Sequence, residues 1–113
     1  MEMPHAVSAL SALAHEGRLT IFRELVQAGP EGLAAGEVSR RVGIAPNTLS
    51  ASLTILAHAS LVSSRRDGRS VIYTAAYERM SELLGFLVQD CCQGRPEVCA
   101  PLAAVASQLA CCA

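Results

Sequence analysis

No lysine occurs in this chain of 113 residues; all nine basic side chains are arginine. Although 51% of the residues are hydrophobic, no apolar run approaches the length needed to cross a bilayer. The opening residues Met1-Glu2-Met3-Pro4-His5 lack the basic head and apolar stretch of a secretory signal. These absences argue against a membrane span and lead to the expectation of a cytoplasmic protein. No cysteine precedes residue 91, and no glycine-rich phosphate cradle or convergent catalytic set is visible. Neither Cys91 nor Cys92 begins a Cys-x₅-Arg loop, because Arg95 comes too early. An enzyme is therefore not expected, and no catalytic cofactor. A chain of this length fits one domain with a thin core, which makes oligomerisation an expectation.

What is present is unevenly distributed. The formal charge is −1, yet between Val38 and Ser70 the residues Arg40, Arg41, Arg65, Arg66 and Arg69 face only Asp67, a balance of +4. One basic segment lies within an acidic body, the footprint of a nucleic-acid contact. Arginine suits bidentate phosphate contacts, although an arginine-rich genome gives the same bias.

Hydrophobic spacing predicts the elements. Val7, Leu10, Leu13 and Ala14 mark a first helix, with Pro4 where a first turn tolerates it. A second runs from His15 or Arg18 to Ala28, its apolar face formed by Leu19, Phe22 and Val26 with Ile21 and Leu25 beside it, and Gly29-Pro30 ends it. Two short helices follow, about Ala35 to Val42 and Pro46 to Ala59, joined by Gly43-Ile44-Ala45. This is a helix-turn-helix pattern. Its second helix sets Asn47, Thr48, Ser50, Ser52 and Thr54 opposite Leu49, Leu53 and Leu56. Two strand-like runs, Leu61 to Arg66 and Ser70 to Thr74, are bridged by Asp67-Gly68, a strong hairpin signal. From Ala75 to Asp90, Met80, Leu83, Leu84, Leu87 and Val88 follow the spacing of one buried helix face. Leu102, Val105, Ala106 and Leu109 suggest a short terminal helix. The expected fold is mainly α with a β-hairpin wing, a homodimeric winged helix-turn-helix.

Phosphate contacts give affinity and base-edge contacts give selectivity, so both should share a surface. Arg40, Arg41, Arg65, Arg66 and Arg69 are the candidates for the first, and Asn47, Thr48, Ser50 and Ser52 for the second. The bland alternative is a solvated face of arginines beside a helix kept soluble by hydroxyls.

The order of these elements, with Leu13-Ala14-His15-Glu16-Gly17-Arg18-Leu19, resembles the ArsR/SmtB family of metal-responsive repressors. In that family the phrase commonly reads Leu-x-(Asp/His)-x-x-Arg-Leu. Asn47 to Leu56 is similar to its recognition-helix pattern Ser-x-x-Ser-x-His-Leu-x-x-Leu, with Asn47 for the first Ser and Ser52 where His is frequent. Ala59-Ser60-Leu61-Val62 resembles its Ala-Gly-Leu-Val lead into the wing, and Arg65-Arg66-Asp67-Gly68-Arg69 its wing tip. The resemblance covers about Ala6 to Val88. It implies a homodimer joined through the first and last helices, with Val7, Leu10, Leu84 and Leu87 as interface residues, bound to double-stranded operator DNA. Residues 1–90 would bind DNA and dimerise, and residues 91–113 would sense the inducer.

The family's thiol motif on the helix before recognition is absent, since Glu37 to Arg41 contains no cysteine. The paired His/Asp zinc site on the last helix is also not visible. Cys91, Cys92 and Cys99 place three thiols within nine residues, a set suited to a soft ion. Trivalent arsenic prefers three sulfurs in a pyramid, whereas structural zinc takes four ligands. The spacing looks like the C-terminal Cys-Cys-x₆-Cys arsenite site of a subset of these repressors, which implies As(III) as inducer, with antimonite competing. Another soft metal, or thiol oxidation, remains open as the signal. Cys111 and Cys112 are a terminal pair without a role, a second thiol site, or the completion of a four-cysteine site. His5, His15 and His58 are scattered, and capping, surface or core roles fit them better than ligation.

Overall fold

The computed structural model describes residues 1–89, 97, 100–102, 104 and 105. Its elements are α1 (Met3–Leu13), α2 (Glu16–Ala28), β1 (Leu33–Ala34), α3 (Ala35–Val42), α4 (Pro46–His58), β2 (Val62–Asp67), β3 (Ser70–Ala75) and α5 (Tyr77–Val88). The expected winged helix-turn-helix is the observed fold, and the predicted helix ends fall within about two residues except at the start of α1. Pro4 lies in the first turn of α1, which begins earlier than the apolar spacing indicates.

The break between α1 and α2 explains the Leu-x-His-x-x-Arg phrase. His15 caps α2 by accepting from the Arg18 backbone N–H at 3.3 Å. Arg18 reaches back to the end of α1, its Nε donating to the Ala12 carbonyl at 2.7 Å and Nη2 to the Ser11 carbonyl at 3.4 Å. Two helix ends that lack intrahelical partners are satisfied by one pair of side chains. Tyr77, at the start of α5, ties that helix to the end of α2 by donating to the Val26 carbonyl at 3.0 Å.

The three strands form an antiparallel sheet in the order β1-β3-β2. Leu33 pairs with Tyr73, while Val62 pairs with Ala75 and the hairpin closes at Asp67 opposite Ser70. The turn is thus Gly68-Arg69, with Gly68 at φ 63°, and Asp67 is the last strand residue rather than part of the turn. The two-residue β1 has too little pattern to be read from sequence.

Ser60 stands where the resembling sequences carry glycine, and it has φ 62°, in the left-handed region. A Cβ there costs about 1–2 kcal/mol. Ser60→Gly should therefore raise stability by about 0.5–1 kcal/mol, the relief of strain less the freer unfolded chain. An unchanged denaturation midpoint would contradict this.

The core is built on Ile21, Leu25, Val38, Leu49, Leu53, Leu56 and Leu61, all fully buried. Three stripes differ from expectation. In α2 the buried residues are Ile21, Phe22 and Leu25, while Leu19 is exposed and Val26 half-buried. In α5 only Leu83 is buried; Leu84, Leu87 and Val88 are 48%, 51% and 41% exposed. α1 shows the same split, turning Ala6, Ala9 and Ala12 inward and leaving Met3, Val7 and Leu10 exposed. The small alanines let α1 lie close to the body, so its large apolar residues face outward. An apolar groove of about 360 Å³, lined by Leu13, Leu19, Phe22, Val26, Met80 and Leu84 among others, runs between α2 and α5.

Among the described residues no helix is long and apolar enough to cross a membrane. Of the terminal helical pattern, Leu102 and Val105 are helical and exposed, whereas Ala106 and Leu109 lie outside the described residues. So do Asp90 and all five cysteines, Cys91, Cys92, Cys99, Cys111 and Cys112.

Candidate nucleic-acid interface

The turn between α3 and α4 is fixed locally. Gly43, at φ 70°, ends α3 in the left-handed conformation that glycine adopts without a Cβ penalty. Ser39 Oγ donates to the Ile44 carbonyl at 2.5 Å, which pins the chain as it leaves α3. Pro46 then opens α4 within its first turn. The result is a second helix whose roll is set by Leu49, Leu53 and Leu56 entering the core.

That roll decides which polar residues are presented. Asn47, Thr48 and Ser50 are exposed, as the alternation of the helix requires. Ser52 is not: it is 7% exposed, on the buried side beside Leu49 and Leu53. Ser52 is therefore corrected from a base reader to an inward-facing residue, because three residues after Leu49 a side chain returns to the same helix face. Thr54 is exposed, with its hydroxyl donating to the Ser50 carbonyl at 2.9 Å.

The five candidate arginines divide into two groups. Those of α3 are compensated. Arg40 Nε donates to Glu37 Oε2 at 3.1 Å, with a second bond from Nη2 to Oε1; Arg41 Nε donates to the same Oε1 at 3.0 Å. Arg41 Nη1 also reaches Glu24 on α2 at 3.4 Å. The two arginine hydrogen bonds hold the Glu37 carboxyl well below the usual carboxylate range, at about 2. The same contacts raise both arginines further. Because the carboxyl is depressed, the network is intact above the ordinary carboxylate pKa and is lost only as pH falls toward 2.

The wing arginines differ. Arg65 points back to the body, its Nη2 donating to the Glu31 carbonyl at 2.7 Å and Nη1 to Thr74 Oγ1 at 3.3 Å. It braces the base of the hairpin. Arg66 and Arg69 are exposed and, among the described residues, take part in no ion pair. Arg65 apart, the exposed candidate arginines in no ion pair among the described residues thus lie at the wing tip, on either side of Asp67-Gly68.

Sequence reasoning missed Glu37 and Glu24 as partners of the α3 arginines. The signal for Glu37 was there, since Glu37, Arg40 and Arg41 stand at i, i+3 and i+4 on one helix. Glu24 is 17 positions away in the chain and comes to Arg41 only through the packing of α2 on α3. Among the described residues no group of three His, Asp or Glu side chains is placed to hold a metal.

A helix-turn-helix domain model matches residues 13–65. The nodulation protein NolR of Rhizobium meliloti is 35% identical over 73% of this chain, which spans 65% of that protein's length. The transcriptional activator HlyU of Vibrio cholerae is 32% identical over 78% of this chain and 79% of its own. In a solved structure of HlyU, the TM-score is 0.62 at 36% identity, covering 77% of this chain and 97% of that one. The homodimeric winged helix-turn-helix DNA-binding domain of Mb0332 from Mycobacterium bovis, described as a possible ArsR-family regulator, gives a TM-score of 0.63 at 27% identity over 78% of this chain and 82% of that one. By these likenesses this chain belongs to the ArsR family of winged helix-turn-helix transcriptional regulators, a family of DNA-binding proteins rather than enzymes.

Proposed function

We propose that the chain is a homodimeric repressor that binds operator DNA and is released from it by trivalent arsenic. The observation that carries the DNA-binding part is the exposed polar start of α4, in a chain whose wing tip carries two exposed arginines that are in no ion pair among the described residues. In this reading Asn47 reads adenine, Thr48 and Ser50 supply hydroxyls to base edges, and Arg66 and Arg69 hold phosphates. The dimer is supported by the unburied apolar faces of α1 and α5, including Val7, Leu10, Leu84 and Leu87. Two-fold symmetry then sets the recognition helices on half-sites about one DNA turn, roughly 34 Å, apart.

The inducer is read from Cys91, Cys92 and Cys99. Arsenite is a trihydroxide, and exchange of its three hydroxyls for three thiols releases three waters and leaves a pyramidal As–S₃ centre. In sequence, Gly94-Arg95-Pro96, a composition that favours turns, lies between the adjacent pair and Cys99. Three bonds to one arsenic atom tie Cys91, Cys92 and Cys99 to each other directly after α5, and because α5 carries the proposed dimer face, that constraint shifts the relative angle of the two α4 helices. A coupling of about 1–3 kcal/mol corresponds to a loss of operator affinity of roughly 5- to 150-fold.

The test is fluorescence anisotropy of a labelled duplex from the protein's own upstream region. Binding that weakens with salt, followed by release on adding arsenite or antimonite, supports the proposal. Release by cadmium or lead alone, or by peroxide with reversal by dithiol, assigns the cysteines to another soft ion or to oxidation instead.

A further inference from the structure

We infer that Glu37 is an internal competitor for the DNA backbone, holding Arg40 away from phosphate so that phosphate affinity rests on the wing. This rests on the reading that α4 and the wing face DNA. Glu37 occupies the guanidinium of Arg40 through both carboxylate oxygens, the forked geometry by which arginine also grips a phosphate. The Arg40 side chain is nevertheless 72% exposed, at the end of α3 that leads into α4. Arg40 is therefore within reach of a ligand at that surface but already has an anion. Arg41 shares Glu37 and has Glu24 as a second holder on α2, so it stays with the body. The α3 region thus offers two guanidiniums against two carboxylates, while Arg66 and Arg69 are in no ion pair among the described residues.

The competition acts in both directions. A phosphate that takes Arg40 must displace Glu37, and the displaced carboxylate then faces the phosphate as a like charge. Glu37 stays ionised at any pH near neutrality, so the penalty is constant there. Because phosphate contacts carry no sequence information, Glu37 lowers affinity for operator and unrelated duplex alike and restrains unproductive binding to bulk DNA.

The experiment compares the salt dependence of duplex binding for the full chain, for Glu37→Gln, for Glu37→Gln with Arg40→Ala, and for Arg66→Ala. Glutamine keeps the length and a hydrogen-bond acceptor but removes the charge, and thermal unfolding checks that each variant is folded. Glu37→Gln should bind both operator and unrelated duplex more tightly. Its log–log salt slope should steepen by about 0.9, one additional phosphate contact, so that it loses roughly threefold more affinity than wild type between 50 and 200 mM salt. Adding Arg40→Ala should cancel that gain. Arg66→Ala should make the slope shallower by about 0.9. A Glu37→Gln slope equal to wild type, or a gain that survives Arg40→Ala, overturns the inference. Wild-type protein without salt-dependent duplex binding would instead overturn the DNA-binding reading itself. A purely structural role for Glu37 would move the unfolding midpoint and leave the slope alone.

Discussion

Replacing Leu84 and Leu87 together by glutamate should leave the protein folded, convert it to a monomer, and lower operator affinity by roughly 10²- to 10⁴-fold. Both side chains are about half exposed in the single chain, 48% and 51%, so charges there cost the isolated fold little. In a dimer joined through α1 and α5 the same charges would enter an apolar interface without partners, at a cost that association cannot recover. The loss of DNA affinity follows from valency. A dimer presents its second recognition helix at high effective concentration once the first is seated, a gain of roughly 10²- to 10⁴-fold that a monomer forfeits. Light scattering during size-exclusion chromatography gives the mass, and duplex anisotropy gives the affinity. A variant that remains dimeric with unchanged operator affinity would remove α5 from the interface.

Gly32→Ala should be the most damaging single exchange outside the core. Gly32 has φ 73°, and a Cβ added there would lie 2.4 Å from the Tyr73 carbonyl oxygen and 2.7 Å from Thr74 Oγ1. The first neighbour is backbone of β3 and cannot swing aside. Left-handed strain alone costs of order 1–3 kcal/mol, before any displacement of β1 from β3. For a domain of this size each kcal/mol lowers the melting temperature by about 4–8 °C. The damage reaches the wing as well, because Arg65 braces the hairpin on the carbonyl of the adjacent Glu31. Gly32→Ala protein that melts with wild type would show that β1 and β3 do not approach as closely as described.

The elements were legible where a local signal was complete. Gly43 and Pro46 bracket the recognition turn, and Asp67-Gly68 marks the hairpin, because each residue type imposes a backbone conformation regardless of tertiary context. The apolar stripe of α5 was legible as a stripe, but its partner was not. Periodicity says that Leu84 and Leu87 share a face, not whether this chain or another covers it. Ser52 was misassigned for a similar reason: it sits among polar neighbours in sequence, while the roll of α4 is set by three leucines and carries it inward. Packing changes the apparent charge balance most. Counted from Val38, the basic segment omits Glu37 by one position, and no local pattern brings Glu24 to Arg41. A net charge along the chain is thus a poor measure of charge free for a ligand, since i, i+4 pairs and tertiary ion pairs remove it. The Leu-x-His-x-x-Arg phrase, by contrast, gained a physical cause, with His15 and Arg18 closing the two helix ends at one joint.

The link between thiol chemistry and DNA release is tested most directly by titrating arsenite into operator-bound protein, in wild type and in Cys92→Ser, and following duplex anisotropy. The predicted result is release of the wild-type protein, with a roughly 5- to 150-fold loss of affinity, while Cys92→Ser binds the same duplex equally well and stays bound throughout. Equal release of both, or a wild-type complex that arsenite leaves intact, would contradict arsenic sensing by Cys91, Cys92 and Cys99.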